Sequence, residues 1–331
     1  GAAARAFAEA AGVPLLAEPS SGARSGPNAV GPYRLLLERP ELGGRIERVV
    51  VFGHATLSRP VSALLAGDSA EVVVVAGGGP DWIDAGRRAS RVVPAVTAPA
   101  AGSGGGDWLA SWLRAAKATQ DAVDGVLAAG PLSGPAVAAQ VWAARRPGEA
   151  LVAGSSNPIR DLDLAAAPAP GDAADAGPVL ANRGLAGIDG TLSTATGVAL
   201  GTGAPVRALV GDLTFLHDAG GLLIGPLEDR PDLQVVVVND DGGGIFALLE
   251  HGDPAHADRF ERVFGTPHGA DLASLCAGYG VAHRRVTDAA SLRSALAEPV
   301  RGRSVLEVPV ARAALRDLHA RIRAAVAAAL G

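Results

Sequence analysis

The 331-residue sequence holds one cysteine, Cys276, and no methionine. A lone thiol excludes an intrachain disulfide and a multi-cysteine zinc site, so a reducing compartment fits. Aromatic residues make up only 4%, and one lysine, Lys117, stands against 28 arginines, a bias expected of a GC-rich genome and unconnected with function. No Lys/Arg block occurs and the net charge is −5. A nucleic-acid groove or an anionic membrane surface therefore has no electrostatic footprint. No apolar run reaches the length of a bilayer span, and no basic stretch followed by an apolar one opens the sequence, which reads as cytoplasmic. Apolar residues, by contrast, make up 48%. That is enough for real cores and too much for a disordered chain. A sequence that starts Gly1-Ala2-Ala3-Ala4 without a Met is expected to be a fragment.

Short β-branched runs bounded by Gly, Asp or Pro recur at Arg48–Phe52, Val72–Ala76, Ala150–Ala153, Arg207–Val210, Leu233–Val238 and Ser304–Val308. Continuous apolar runs of this kind suit strands covered on both faces of a parallel sheet. Helical periodicity marks Ala2–Ala11, Arg59–Leu65, Trp108–Ala129, Gly134–Ala144, Gly190–Leu200, Asp271–Gly278, Ala290–Ala297 and Ala311–Leu330, with Ser133 and Asp288 placed as N-caps. The alternation predicts an α/β protein made of two three-layer α/β/α units with parallel sheets. Pro94–Gly106 reads as a linker and Ala165–Gly177 as a loop. The expected domains are therefore 1–106 and 107–331. The first has only two strong strands, too few for a comfortable sheet, and its opening strand is expected to be missing.

The strongest chemical signal is a pair of strand ends, Val210-Gly211-Asp212-Leu213-Thr214-Phe215 and Val238-Asn239-Asp240-Asp241-Gly242-Gly243-Gly244-Ile245-Phe246. Their spacing is about one βαβ repeat, so in a parallel sheet both turns reach the same carboxyl edge, where ligands bind. Two carboxylates with nearby carbonyls make a hard oxygen site for Mg²⁺ or Ca²⁺, completed by a substrate phosphate. Gly242 to Gly244 permit close backbone approach, and the helix after Asp212 can offer N–H groups to a phosphate. The pattern predicts a metal-bridged diphosphate; the alternative is two ordinary strand-to-helix turns. Among the seven histidines only His217 and His268 lie in segments of interest, and a satisfied structural histidine is the commoner role for such residues. Gly77-Gly78-Gly79-Pro80 is a weak phosphate-turn signal, and Cys276 in an apolar helix reads as core packing.

Gly211-Asp212, a spacer of under thirty residues and Asn239-Asp240 resemble the thiamine-diphosphate motif, with Leu213 in place of a glycine and Asp240 in place of a second asparagine. Those departures, together with Ser155-Ser156-Asn157-Pro158-Ile159-Arg160, the Asn182–Gly190 segment NRGLAGIDG, DLTFLHD from Asp212 and Phe264-Gly265-Thr266-Pro267-His268, resemble the 2-succinyl-5-enolpyruvyl-6-hydroxy-3-cyclohexene-1-carboxylate (SEPHCHC) synthases of menaquinone biosynthesis. The resemblance implies a thiamine-diphosphate-binding fold in 107–331 and a partial central domain in 1–106. It implies thiamine diphosphate with Mg²⁺ or Mn²⁺ as cofactors, decarboxylation of 2-oxoglutarate, and addition of the succinyl-semialdehyde unit to isochorismate in a homodimer or dimer of dimers.

Carried over by position, Asp212, Asp240 and the Gly242 carbonyl would hold the metal, with Asn239 the alternative to Asp240. Ser156, Ile188, Gly211, Leu213, Thr214, Asn239, Gly243 and Ile245 would contact the cofactor. Arg160 and Arg183 would take substrate carboxylates, as arginine forks do, and Ile245 and Phe246 would line the substrate pocket. Two rivals stand: another thiamine-dependent 2-oxoacid decarboxylase or acetohydroxyacid-synthase relative, and a non-catalytic cofactor-binding or dimer-scaffold module. The resemblance places the glutamate that polarises the cofactor in an N-terminal pyrimidine-binding domain absent from this sequence. The chain by itself is therefore expected to release little or no CO₂ from 2-oxoglutarate. Robust release by the isolated chain would mean that this glutamate is dispensable or supplied elsewhere.

Overall fold

A computed structural model of the chain describes residues 1–77, 82–97, 106–169, 171 and 177–331. The chain divides into two compact units, one of 1–122, 167–173 and 326–331, the other of 123–166 and 174–325. By compactness the first division falls at 122/123, inside a long helix, and not in the Pro94–Gly106 tract. Residues 98–105 of that tract, 170 and 172–176 of the second, and 78–80 of the Gly77–Pro80 turn lie outside the described residues.

The smaller unit runs α1 (Ala2–Ala11), β1 (Leu15–Leu16), β2 (Ala29–Val30), α2 (Tyr33–Leu36), β3 (Arg48–Phe52), α3 (Arg59–Ala66), β4 (Glu71–Val75), β5 (Ala89–Val93) and most of α4 (Gly106–Ala128). β3, β4 and β5 form a parallel sheet in that order. Val49, Val51, Val72 and Val74 pack on Leu65 of α3, while Phe52 points the other way, 5.8 Å from the Phe7 ring of α1. The sheet thus carries a helix on each face. Its third strand, β5, has no counterpart among the strands expected from sequence. Ala-Ser-Arg-Val-Val forms a largely exposed edge, and an edge strand has no need of the continuous apolar run that marks a central one.

The larger unit runs α5 (Gly134–Ala143), β6 (Ala150–Ala153), α6 (Asn157–Ala165), β7 (Val179–Leu180), α7 (Thr191–Thr202), β8 (Val206–Gly211), α8 (Asp212–His217), β9 (Leu233–Asn239), α9 (Ala257–Phe260), α10 (Leu272–Gly278), β10 (Ala282–Arg285), α11 (Ala289–Ala297), β11 (Arg303–Pro309) and most of α12 (Leu315–Leu330). Six parallel strands lie in the order β10-β11-β9-β8-β6-β7. Strand residues of one parity, Val206, Ala208, Val210, Val235 and Val237, pack with Leu192 of α7, Phe215 of α8 and Cys276 of α10. Residues of the other parity face α5, α6 and α11. Three layers result, as the alternation predicts. Cys276 is core, and burial pushes its thiol up to about 11.

Two features of this sheet bring the two acidic turns together. The chain places β7 on one side of β6 and β8 on the other, so the β6/β8 boundary is a topological switch point, where a crevice opens at the carboxyl ends. The register then levels the neighbouring ends, because Gly211 of β8 and Val308 of β11 both pair with Val238 of β9. Ser155-Ser156, Asp212 and Asp240 consequently emerge at one edge.

Deeper in the sheet, Arg207 is 2% exposed. Its guanidinium donates to Gln234 Oε1 at 2.8 Å and to the Leu296 carbonyl at 3.2 Å, and lies 3.5 Å from the Glu149 carboxylate. Removing one partner of a buried pair strands the other charge. Glu149→Ala is expected to cost roughly 3–5 kcal/mol in urea unfolding, whereas the double replacement Glu149→Met/Arg207→Met should cost much less.

Candidate active site

Asp212 is the first residue of α8 and is 2% exposed. Its Oδ1 accepts the Leu213 amide at 2.6 Å and its Oδ2 the Gly242 amide at 2.9 Å, so the tip of β9 is tied directly to the tip of β8. The short helix α8, expected from sequence to offer its N–H groups to a phosphate, gives the Leu213 N–H to Asp212 itself. After β9, Asp241 adopts φ +57° and Gly242 φ +137°. A Cβ on Gly242 would stand 1.9 Å from the Gly265 carbonyl oxygen, on Gly243 2.2 Å from that of Phe264, and on Gly244 1.8 Å from an Asp240 carboxylate oxygen. Glycine is required along this tract because neighbouring atoms occupy the space a side chain needs.

Asp212 and Asp240 open onto one cavity of about 220 Å³, mostly apolar, walled also by the start of α6, the start of α5 and the start of α12. Burial first, and the Asp212 charge second, push the Asp240 carboxyl up to about 7. A cation between two such neighbouring carboxylates would offset the repulsion that raises Asp240. The Ser133 hydroxyl and the Asn157 Oδ1 are buried without a hydrogen-bond partner, and both residues sit in the cavity wall. Ser133 occupies the N-cap position of α5 but makes no capping bond, unlike Asp288, whose carboxylate takes the amides of Ala290 and Ser291. Ser156, which precedes α6, is held at φ +73° and ψ −136°, a conformation a non-glycine residue seldom adopts. Paired carboxylates, the glycine cradle and orphaned polar atoms together fit a divalent cation bridging to an anionic ligand. Among the described residues no group of three or more His, Cys, Asp or Glu could hold a metal, so a cation here would take further oxygens from the backbone and the ligand.

Of the residues singled out from sequence, Ser156, Ile188, Gly211, Asp212, Leu213, Thr214, Asp240, Gly242, Gly243, Ile245 and Phe246 line this cavity. Asn239 does not. Its side-chain amide donates to Glu307 Oε1 at 2.9 Å and its Oδ1 accepts the Asp241 amide at 3.1 Å, leaving Asp240 as the acid that faces the cavity. Arg160 and Arg183 also lie off the cavity wall. Arg160 belongs to α6, a helix where the sequence suggests a turn, and donates to the Ser156 carbonyl at 2.8 Å. Arg183 reaches to 3.5 Å from the Ser155 hydroxyl. Both arginines thus flank the Ser155-Ser156 turn. His217 is exposed, whereas the His268 ring stands 3.2 Å from Asp212 Oδ2.

Arg312, which no sequence motif marks, lines the cavity and clamps the β9 tip. It donates to the Asp240 carbonyl at 2.6 Å, to the Asp241 carbonyl, and to Glu261 at 2.5 Å. An arginine between β11 and α12 looks like any solvated arginine until the strands are paired.

Residues 172–308 match the family described as thiamine pyrophosphate enzyme, C-terminal TPP binding domain, the class to which this fold and carboxylate pair conform. Over 99% of its length the chain is 54% identical to the 2-succinyl-5-enolpyruvyl-6-hydroxy-3-cyclohexene-1-carboxylate synthase of Paenarthrobacter aurescens, of which it covers 58%. It is 55% identical over its whole length to the protein of that name from Kineococcus radiotolerans, covering 59%, and 45% identical over 99% to that of Saccharopolyspora erythraea, covering 58%. The chain is similar to these SEPHCHC synthases along nearly its whole length and spans a little under three fifths of theirs.

The glycine cradle gives a direct test. Gly243→Ala is expected to push the 264–269 segment off the β9 tip and to cost about 1–3 kcal/mol, the usual range for overpacking. Chemical unfolding of the metal-free chain measures it.

Proposed function

We propose that this chain carries the metal and diphosphate site of an enzyme that decarboxylates 2-oxoglutarate and adds the succinyl-semialdehyde unit to isochorismate, giving SEPHCHC in menaquinone biosynthesis. The observation that carries the proposal is the pair Asp212 and Asp240, side by side on one cavity above a three-glycine cradle, in a chain whose relatives bear that synthase's name.

Asp212, Asp240 and the Gly242 carbonyl would hold Mg²⁺ or Mn²⁺ against the diphosphate of thiamine diphosphate. That cofactor, when bound, supplies an electron sink at the carbon that loses CO₂. Ile188 and Ile245 offer apolar wall to its rings, and Ser156 and Thr214 offer polar contacts. Arg160 and Arg183 would bind the carboxylates of the two substrates, both dicarboxylic acids. Both arginines lie beside the Ser155-Ser156 turn, whose Ser156 lines the cavity. Phe246 lines the cavity, its ring tilted against that of Phe264 with centroids 5.6 Å apart. In this reading 1–106 is a central domain and 107–331 the diphosphate-binding domain of a cytoplasmic homodimer or dimer of dimers. No helix among the described residues is long and apolar enough to cross a membrane.

With thiamine diphosphate present, Mn²⁺ is expected to raise the melting temperature of the chain, and Asp212→Asn or Asp240→Asn to abolish that rise. A rise that survives both substitutions would refute the metal site. In the full-length enzyme, Arg183→Ala is expected to cut kcat/KM for 2-oxoglutarate by roughly 10–100-fold, on the order of one lost charge-assisted carboxylate contact. An unchanged value would favour a different 2-oxoacid.

A further inference from the structure

The Asp212 carboxylate has a second support beside the backbone. His268 lies in the connection between Phe264 and α10, a segment joined to both acidic loop tips. The Gly265 carbonyl accepts the Gly243 amide at 2.7 Å, and the amides of His268 and Gly269 donate to Asp241 Oδ1 at 3.1 and 2.9 Å. The His268 side chain, 14% exposed, then crosses to the other tip, where Nε2 stands 3.2 Å from Asp212 Oδ2.

Which ring nitrogen carries the proton is set by the neighbouring donor. Nδ1 accepts the Ala270 amide at 2.9 Å, and a backbone N–H is a fixed donor. Asp241 Oδ1 also lies 3.5 Å from Nδ1, but that oxygen already accepts two backbone amides at shorter range. The network therefore assigns the lone pair to Nδ1 and the proton to Nε2, which donates to Asp212. Oδ2 thus receives two donors, from Gly242 and His268, and Oδ1 one, from Leu213. Held from both ends, the carboxylate cannot rotate out of the cavity, while Oδ1, with its single donor, keeps a lone pair free to coordinate.

We propose that His268 is a positioning residue for the cation, locking Asp212 in its coordinating orientation through Nε2 and, through its backbone, coupling that orientation to the β9 tip. The inference rests on the cation reading of the Asp212 and Asp240 pair. Outer-shell hydrogen bonds of this kind hold a ligand at the angle the ion requires, and their loss typically weakens metal affinity 10–100-fold.

The test exploits the two ring nitrogens separately. A glutamine amide extends about as far as Nε2 and can donate to Asp212; an asparagine extends only as far as Nδ1 and can satisfy the Ala270 amide alone. The dissociation constant of Mn²⁺ from the chain with thiamine diphosphate is measured from the electron-spin-resonance signal of the free ion, for the unmodified chain, His268→Gln, His268→Asn, His268→Ala and Asp212→Asn. Melting of each metal-free chain is recorded in parallel. The expected order is near-normal affinity for His268→Gln and weakening by roughly 10–100-fold for His268→Asn and His268→Ala, with Asp212→Asn losing binding. Rescue by asparagine and not by glutamine would mean that His268 serves only the Ala270 turn, and would overturn the inference. Equal affinity for all three His268 variants and the unmodified chain, with Asp212→Asn impaired, would overturn it and leave the cation reading intact. Normal binding by Asp212→Asn would remove both. Should His268→Ala fail to fold, the contrast between glutamine and asparagine decides alone.

Discussion

The carboxyl edge of the larger sheet is arranged around two neighbouring carboxylates, one buried and one partly buried, that repel each other across a mostly apolar cavity. Asp212 and Asp240 sit in a mostly apolar cavity, and the upward displacement of Asp240 to about 7 expresses what that confinement costs without a cation. The surrounding structure accepts that cost and prevents relief by movement. Asp212 is bound by three donors, the β9 tip is clamped by Arg312 at its carbonyls, and the glycine tract leaves no slack. On the metal reading proposed above, preorganisation of this sort would let an ion meet a site already shaped for it.

The fold serves this arrangement through register and topology. Pairing Gly211 and Val308 with the same residue of β9 brings the acidic tips level, and the switch of direction at β6 opens the crevice beside them. Farther down the same sheet, Arg207 stitches β8 to β9 and to the layer of α5 and α11 by hydrogen bonds to Gln234, Leu296 and Ala144. A polar group placed there helps to fix which strands are neighbours and in what alignment, and alignment is what the site depends on.

The central strands were legible because burial on both faces demands uninterrupted Val, Leu and Ala, and the carboxylate pair was legible because both acids follow such runs directly. The elements that escaped are those under weaker demands. β5 and β10 are largely exposed edges, and β7 is two residues long. α6 hid inside a segment whose motif suggests only a turn. Arg312 and Glu307 escaped for another reason: their partners, the β9 tip and Asn239, lie about seventy residues away in sequence, so no local pattern betrays them. The choice between Asn239 and Asp240 illustrates the limit well. Spacing cannot distinguish adjacent residues, whereas the end of a strand turns successive side chains to opposite sides, one to Glu307 and one to the cavity.

The bonds that shape the acidic pocket span 30 residues from Asp212 to Gly242, 56 from Asp212 to His268 and 72 from Asp240 to Arg312. None can form early, since closing such long loops carries an entropic cost that is recovered only once β8, β9 and β11 lie together. Each of these bonds therefore requires that the strands carrying its partners be paired. Any ligand that recognises only the finished sheet stabilises the native state by an amount that grows with the logarithm of its concentration relative to its dissociation constant.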